Sequence, residues 1–348
     1  GAGGFTKTGA GQLRLTAANT YAGTTTVSAG VLRLNPNTLA ALGATGAGNN
    51  TVVEAGATLD FNGSYAGSGT LERFTIAGAG VDGQGVLVNT GTGHTNKNLE
   101  EVLLADDATI GGPGRIDILL LTGNGKTLTK IGGHQLCMRN LENAEIVINE
   151  GLYTLLDNVN GLGGNTPGNT TVNGGTLNAW NTLTVPERIV FKGGSLSQGN
   201  TPHTFYLAGY LTVSNNVTHT SAASRGVELS GFVDGPGGFT QAGDGWFIVT
   251  GNTNAYTGPT TVNSGKSLWV GRTNLFAGVL GFGTVTNAGY LYAYSPRLCQ
   301  GNIVNSGTLF LNRGTLGDSA VYNSGTLFVL GGDTGTGAIT NSGNLHFD

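Results

Sequence analysis

The chain has 348 residues, 63 of them Gly, with 10% charged residues, 38% hydrophobic residues and a formal net charge of −4. The glycines keep no period of three, which excludes collagen, and the hydrophobic content with so little net charge excludes a disordered tail. Lys and Arg are scattered and the pI is near 5.7, so no basic stripe for nucleic acid is present. No apolar run reaches the ~18 residues of a membrane span, so no membrane insertion of this segment is expected.

Taken in chain order, the first element is GGFTKTGAGQLRLTAANTYAGTTTVSAGVL, Gly3 to Leu32. Gly and Thr alternate there with single apolar residues. That pattern predicts short strands whose apolar residues fill an interior while Gly and Thr supply corners and outer faces. A shorter unit, NNTVVEAGATLDF, comes next and ends at Phe61. The stretch NKNLEEVLLAD, Asn96 to Asp106, is helix-like in composition, but joined to DATIGGPGRIDILLL it reads equally well as strand, turn, strand. Asp106 and Asp107 form an adjacent acidic pair, with Asp117 further on. Neighbours on a strand point to opposite faces, so a turn is expected of Asp106 and Asp107 rather than a converging acid–base pair.

A weaker copy of the first element runs from Lys126 to Asn140, where Thr129-Lys130 matches Thr6-Lys7, and its short unit GNTTVNGGTLNAW ends at Trp180. NTPHTFYLAGYL, from Asn200, is locally aromatic; core or stacked rings are expected of it before a sugar platform. His203 and His219 read as solvated loop histidines rather than ligands. The fullest second copy runs from Gly237 to Leu268, with Gly238-Phe239 234 residues after Gly4-Phe5 and with Gln241 in place of Lys7. Units such as GNIVNSGTLFL, SAVYNSGTLFV and GAITNSGNLHF then crowd together, and Gly307, Gly325 and Gly343 recur every 18 residues. In VYNSGTLFV, apolar Val321, Leu327 and Val329 flank an Asn-Ser-Gly corner, for which Asn and Gly tolerate a left-handed backbone.

Self-similarity of this kind predicts an all-β fold, a parallel β-solenoid whose coils bury a continuous core by stacking. At roughly 20 residues per coil and about 4.8 Å per strand spacing, the result is a single elongated rod on the order of 80 Å long. One continuous solenoid over residues 1–348 is expected, with internal repeat modules at approximately 1–110, 111–230 and 231–348. A β-sandwich array gives turns at short intervals but no such self-similarity.

The opening element resembles the autotransporter-associated β-strand repeat of bacterial surface proteins. Thr6, Lys7, Gly9, Gly11, Leu13, Leu15, Asn19, Thr20, Tyr21, Gly23, Thr24, Val27, Gly30 and Leu32 fall on its pattern, with Phe5 for the usual Leu. The second copy keeps Gly243, Gly245, Asn254, Tyr256, Gly258, Val262 and Gly265. The resemblance implies a right-handed parallel β-helix, exported to or beyond the bacterial surface, and carries over no catalytic residue.

No cofactor and no metal site is expected. GGDTGTG at Asp333 is a single imitation of a calcium repeat. Cys137 and Cys299 have no second Cys or His at ligand spacing and read as buried, unpaired thiols. No nucleophile elbow, Walker loop or zinc-protease motif is present, so the chain is expected not to be an enzyme. The C-terminal NSGNLHFD is the type of unit that precedes the GGFT element in this repeat family. Head-to-tail contact with another copy, or with more of the same tandem chain, is therefore expected through Gly4, Phe5, Leu345 and Phe347. The function expected is a structural segment of a bacterial surface fibre. The alternatives are an adhesin binding surface glycans or proteins through loops such as Asn89–Asn98 or Pro202–Tyr210, and, behind both, a polysaccharide-cleaving β-helix.

Overall fold

The computed structural model describes residues 1–36, 39–44, 49–64, 72–91, 99–157, 162, 170–274 and 277–348. Residues 92–98 of the Asn89–Asn98 loop lie outside these. The chain divides into two compact units, Gly1–Thr170 and Thr171–Asp348. Each is a β-solenoid of stacked coils with parallel ladders, as the repeats predict, and short 3-10 turns at Leu39–Leu42 and Val81–Gly83 are the helical pieces described.

In the first unit, successive coils place Phe5, Thr25, Thr51, Phe74, Val102, Leu121 and Leu141 in one column. Leu13, Leu32, Leu59, Leu87 and Ile110 form another. Leu32, Leu59, Leu87 and Ile110 are fully buried, whereas Leu13 is 37% exposed because it has a coil neighbour on one side alone. So Leu13 does not fill an interior in this structure. The three long strands Leu99–Gly111, Ile116–Lys130 and Gln135–Ile148 come next along the chain, pairing with each other across bulged corners. The helix-like composition around Leu99–Leu104 is overridden by that pairing. Val102 and Leu104 point inward and Glu101 outward, where it meets Arg73.

In the second unit, one sheet of nine strands runs from Leu183–Val185 to Asn344–Phe347. Its inward column, Leu183, Phe205, Val227, Phe247, Leu268, Leu291, Leu309, Leu327 and Leu345, keeps register across all nine. The seven inner strands of this sheet pair with a coil on each side, its two end strands with one, and the apolar column removes the inner face from water.

Gly307, Gly325 and Gly343 need glycine for a different reason from the one their position in a corner suggests. None is among the left-handed residues. A Cβ at Gly325 would sit 2.1 Å from the Gly307 carbonyl oxygen, and one at Gly343 2.1 Å from that of Gly325. Coils cross so closely there that the column admits hydrogen alone. By contrast Gly9, Gly30 and Gly265 do adopt left-handed φ of 77°, 66° and 74°.

Candidate functional site

The repeat motif is a corner device, and its residues can be built up one at a time. Lys7 ends the strand Phe5–Lys7 and turns into the coil, where it is 6% exposed. Its Nζ donates to the carbonyls of Thr8 (3.0 Å), Gly9 (2.6 Å) and, from the next coil, Ala29 (2.9 Å). Lys130 repeats the arrangement on the carbonyls of Ile131, Gly132 and Glu150 at 3.1, 2.7 and 2.9 Å. Burial pushes its ammonium down to about 7, against the raising effect of Glu150. Gln241 likewise donates its amide to three carbonyls, those of Gly243, the counterpart of Gly9, of Gly245 and of Ser267 in the next coil, at 3.2, 2.9 and 2.8 Å. The Lys-to-Gln replacement thus keeps the function of the position, which is to satisfy three corner carbonyls that the ladder leaves open.

Further along the second unit the same column passes from Gln241 through Val262 to Asn287, Asn305, Asn323 and Asn341. Asn287, Asn305 and Asn323 each donate to the side-chain oxygen of the next Asn at 2.6–2.7 Å and to a carbonyl of the following coil. Four asparagines form one amide ladder.

The Asn-Thr-Tyr part of the motif joins coils in the same way. Asn19 donates to the Ala41 carbonyl at 2.7 Å, and Asn254 to that of Val279 at 2.9 Å. Thr25 spends its hydroxyl proton on the Leu42 carbonyl at 2.8 Å, so Tyr21 donates to Thr25 at 2.6 Å. Tyr256 and Thr260 share the equivalent bond at 2.7 Å, and burial pushes the Tyr256 phenol up to about 12. Sequence reasoning placed Tyr21 and Tyr256 in the repeat but missed Thr25 and Thr260; the shared four-residue spacing was the available signal.

The nine-stranded sheet also presents an outward column: Thr184, Tyr206, Glu228, Ile248, Trp269, Tyr292, Phe310, Phe328 and His346. From Trp269 onward the rings stack face to face, with centroids 5.3, 5.0, 4.9 and 4.7 Å apart and planes within 14°. The stack stops at Ile248. Beside that break lies a groove of about 390 Å³ lined by Trp246, Ile248, Trp269, Arg272 and Tyr294 among others. Arg272 reaches back to pair with Glu228, which also accepts from Thr250 at 2.7 Å.

The stretches that build these corners are similar in sequence to known proteins. The passenger-associated-transport-repeat family matches residues 5–34 and 239–266, the two stretches that carry the Lys7/Gln241 corner and the Asn-Thr-Tyr joint. An adhesin BmaC autotransporter from Brucella suis biovar 1 (strain 1330) is 32% identical over 270 residues, which cover 76% of this chain. The chain is an autotransporter passenger-like repeat protein. It spans 7% of the length of that relative. No solved structure matches it.

In this passenger-like chain the other residues singled out by sequence have ordinary structural partners. Asp106 and Asp107 are exposed within the strand Leu99–Gly111, at its bulged corner; Asp106 pairs with Lys126 at 3.0 Å and Asp107 accepts from the Thr127 N–H at 2.8 Å. The turn expected of them is instead a bulge inside this strand. Asp117 pairs with Arg115 at 2.6 Å instead. Among the described residues no group of three or more His, Cys, Asp or Glu is placed to hold a metal ion. Cys137 and Cys299 are free and buried, and burial pushes both thiols up. In Pro202–Tyr210, Phe205 and Leu207 are core, while Tyr210 is exposed against Phe232 with Arg188 5.3 Å above its ring.

The expectation for His219 fails. It is 1% exposed, stacked on Phe247 at 5.1 Å, and hydrogen-bonded to Gln241 and Ser221 at 2.5 and 2.8 Å. A histidine at the inward end of a strand fits the corner column that continues into Gln241. His203, half-buried, bonds Thr182 at 3.0 Å.

These corners set two measurable outcomes. Lys7→Leu leaves three carbonyls without a donor and costs about 1–3 kcal/mol, while Lys7→Gln, which copies Gln241, costs clearly less; urea unfolding of both variants measures the difference. Burial holds His219 down to about 4 in the folded chain, below its ordinary 6.5. The unfolded chain therefore takes up the proton first, and the contribution of neutral His219 is complete above about pH 6.5 and is lost as pH falls toward about 4. Melting temperatures across that window fall more steeply for the native sequence than for His219→Gln.

Proposed function

We propose that this passenger-like chain works at or beyond the bacterial surface as a non-catalytic, adhesin-like β-solenoid segment, and that its coils extend a fibre by stacking end to end. The observation that carries the reading is the column: Asn305 on Asn323, Gly307 on Gly325, Phe310 on Phe328. A surface built of identical residues every coil is complementary to another coil of the same kind, and backbone pairing extends it without any new recognition chemistry. The likeness to a Brucella autotransporter adhesin supports the surface setting and the adhesive role.

In this proposal another copy, or a further stretch of the same tandem sequence, meets the chain through Gly4 and Phe5 on one side and Leu345 and Phe347 on the other. Gly4 is exposed and Phe347 is 65% exposed; Phe5 and Leu345 are half-buried. Covering such apolar groups supplies the drive for association. The adhesin-loop alternative has one supporting observation, the exposed Tyr210–Phe232 pair with Arg188 over it.

Negative-stain electron microscopy and light scattering across protein concentration test the proposal. Filaments that lengthen with concentration, and that are lost when Leu345→Lys and Phe347→Lys are combined, are the expected result. A chain that stays monomeric at every concentration contradicts it.

A further inference from the structure

We propose that the break in the outward aromatic stack of the second unit is a binding site for a neutral pyranose unit of a glycan chain. The inference stands on the geometry of one sheet face and holds whether or not copies assemble into fibres.

Within the stack each ring covers the faces of its neighbours: Tyr292 lies between Trp269 and Phe310, and Phe310 between Tyr292 and Phe328. Those faces are spent. Trp269 is different, because Tyr292 covers one of its faces and its column neighbour on the other side is Ile248. An isoleucine is narrower than an indole, so part of that second face stays open, and the groove of about 390 Å³ lies there. A second indole, Trp246, borders the same space. It lies over Gly226, where a Cβ would come 1.7 Å from the Trp246 Nε1, so the bare glycine is what lets the ring settle against the sheet. Two half-buried indoles thus flank one cleft, with Tyr294 beside them. The volume falls at the lower end of the roughly 300–1,000 Å³ typical of small-ligand clefts.

The polar groups decide the class of ligand. Thr204, Thr273 and Asn274 line the groove with neutral donors and acceptors, Thr273 and Asn274 being exposed. Arg272 is the charged lining residue, and its guanidinium is already engaged: it pairs with Glu228 and interacts with Tyr206. An anionic sugar would find the cation neutralised and the Glu228 carboxylate close by, which disfavours it. A flat ligand with one apolar face of C–H groups and a rim of hydroxyls matches indole faces surrounded by neutral polar side chains. A neutral pyranose has that shape, and a glycan chain supplies it with open ends along the groove.

The variant pair that tests this includes one that keeps the fold by design. Trp269→Ala removes the platform from an outward position. Ile248→Phe fills the break and continues the stack, closing the groove while keeping an apolar side chain at a position that is 8% exposed. Calorimetric titration of the 348-residue chain with cellotetraose, maltotetraose, β-1,4-galactotetraose and, as the anionic comparison, trigalacturonate is the experiment. The proposal expects at least one neutral tetrasaccharide to bind in the millimolar range or tighter. Binding then weakens about tenfold or more in Trp269→Ala and is lost in Ile248→Phe, with circular-dichroism melts of Ile248→Phe at or above that of the native chain. Absence of binding by all three neutral probes overturns it. So does binding that survives in Ile248→Phe, or equal binding of trigalacturonate. Filament formation is read separately, so either reading can fail alone.

Discussion

Parallel coil-on-coil pairing is the constraint on which the rest of this protein depends. Each strand gives its backbone donors and acceptors to the coils on either side at a spacing of about 4.8 Å, and the pairing fixes which side chains share a column. A residue here is therefore selected chiefly by its neighbour one coil away. Leucine stacks on leucine inside, phenylalanine on phenylalanine outside, and asparagine bonds asparagine at the corners. Glycine is required wherever two coils cross too closely for a Cβ, as at Gly325 over Gly307. The scarcity of charge fits the same rule, since like charges in one column would lie within a strand spacing of each other. The salt bridges that do occur, such as Arg73–Glu101 and Lys126–Asp106, set opposite charges against each other, each between strands that pair.

Corners are the weak points of such a stack, because there the chain leaves the ladder and carbonyls lose their partners. The passenger repeat answers this with a long donor thrown inward: an ammonium at Lys7 and Lys130, an amide at Gln241, and the shorter amides of Asn287 to Asn341 where the corner is tighter. His219 belongs to the same column and carries its own hydrogen bonds to Ser221 and Gln241. The Tyr21–Thr25 and Tyr256–Thr260 bonds serve the second corner.

Much of this was legible in the sequence because a solenoid repeats one local rule. The 18-residue recurrence of Gly307, Gly325 and Gly343 specified stacking, and stacking specified parallel strands. What could not be read was which demand each residue met. Gly325 carries the same letter whether it relieves a left-handed turn or a close crossing, and only the neighbouring coil distinguishes the two. His219 looked solvated because its partners, Gln241 and Phe247, lie one coil away and more than twenty positions along the chain. Asp106 and Asp107 were expected in a turn, but the structure places both, exposed, at a bulge inside the strand Leu99–Gly111, a break that depends on how the neighbouring strands pair. The groove beside Ile248 had no sequence signature at all: it is the gap left where an aliphatic residue interrupts an aromatic column, visible once register aligns Ile248 with Trp269.

Register is thus the central claim, and paired cysteines read it most directly. Neighbouring parallel strands bring aligned Cα atoms to about 4.8 Å, inside the disulfide range of roughly 4.4–6.8 Å, while residues two coils apart lie near 10 Å and outside it. Phe310 aligns with Phe328, and Phe328 with His346. Oxidation of a chain carrying Phe310→Cys and Phe328→Cys, followed by mass spectrometry, gives an intramolecular disulfide in this account, whereas Phe310→Cys with His346→Cys gives none. Equal cross-linking of both pairs, or of the second alone, would contradict the register on which every column described here depends.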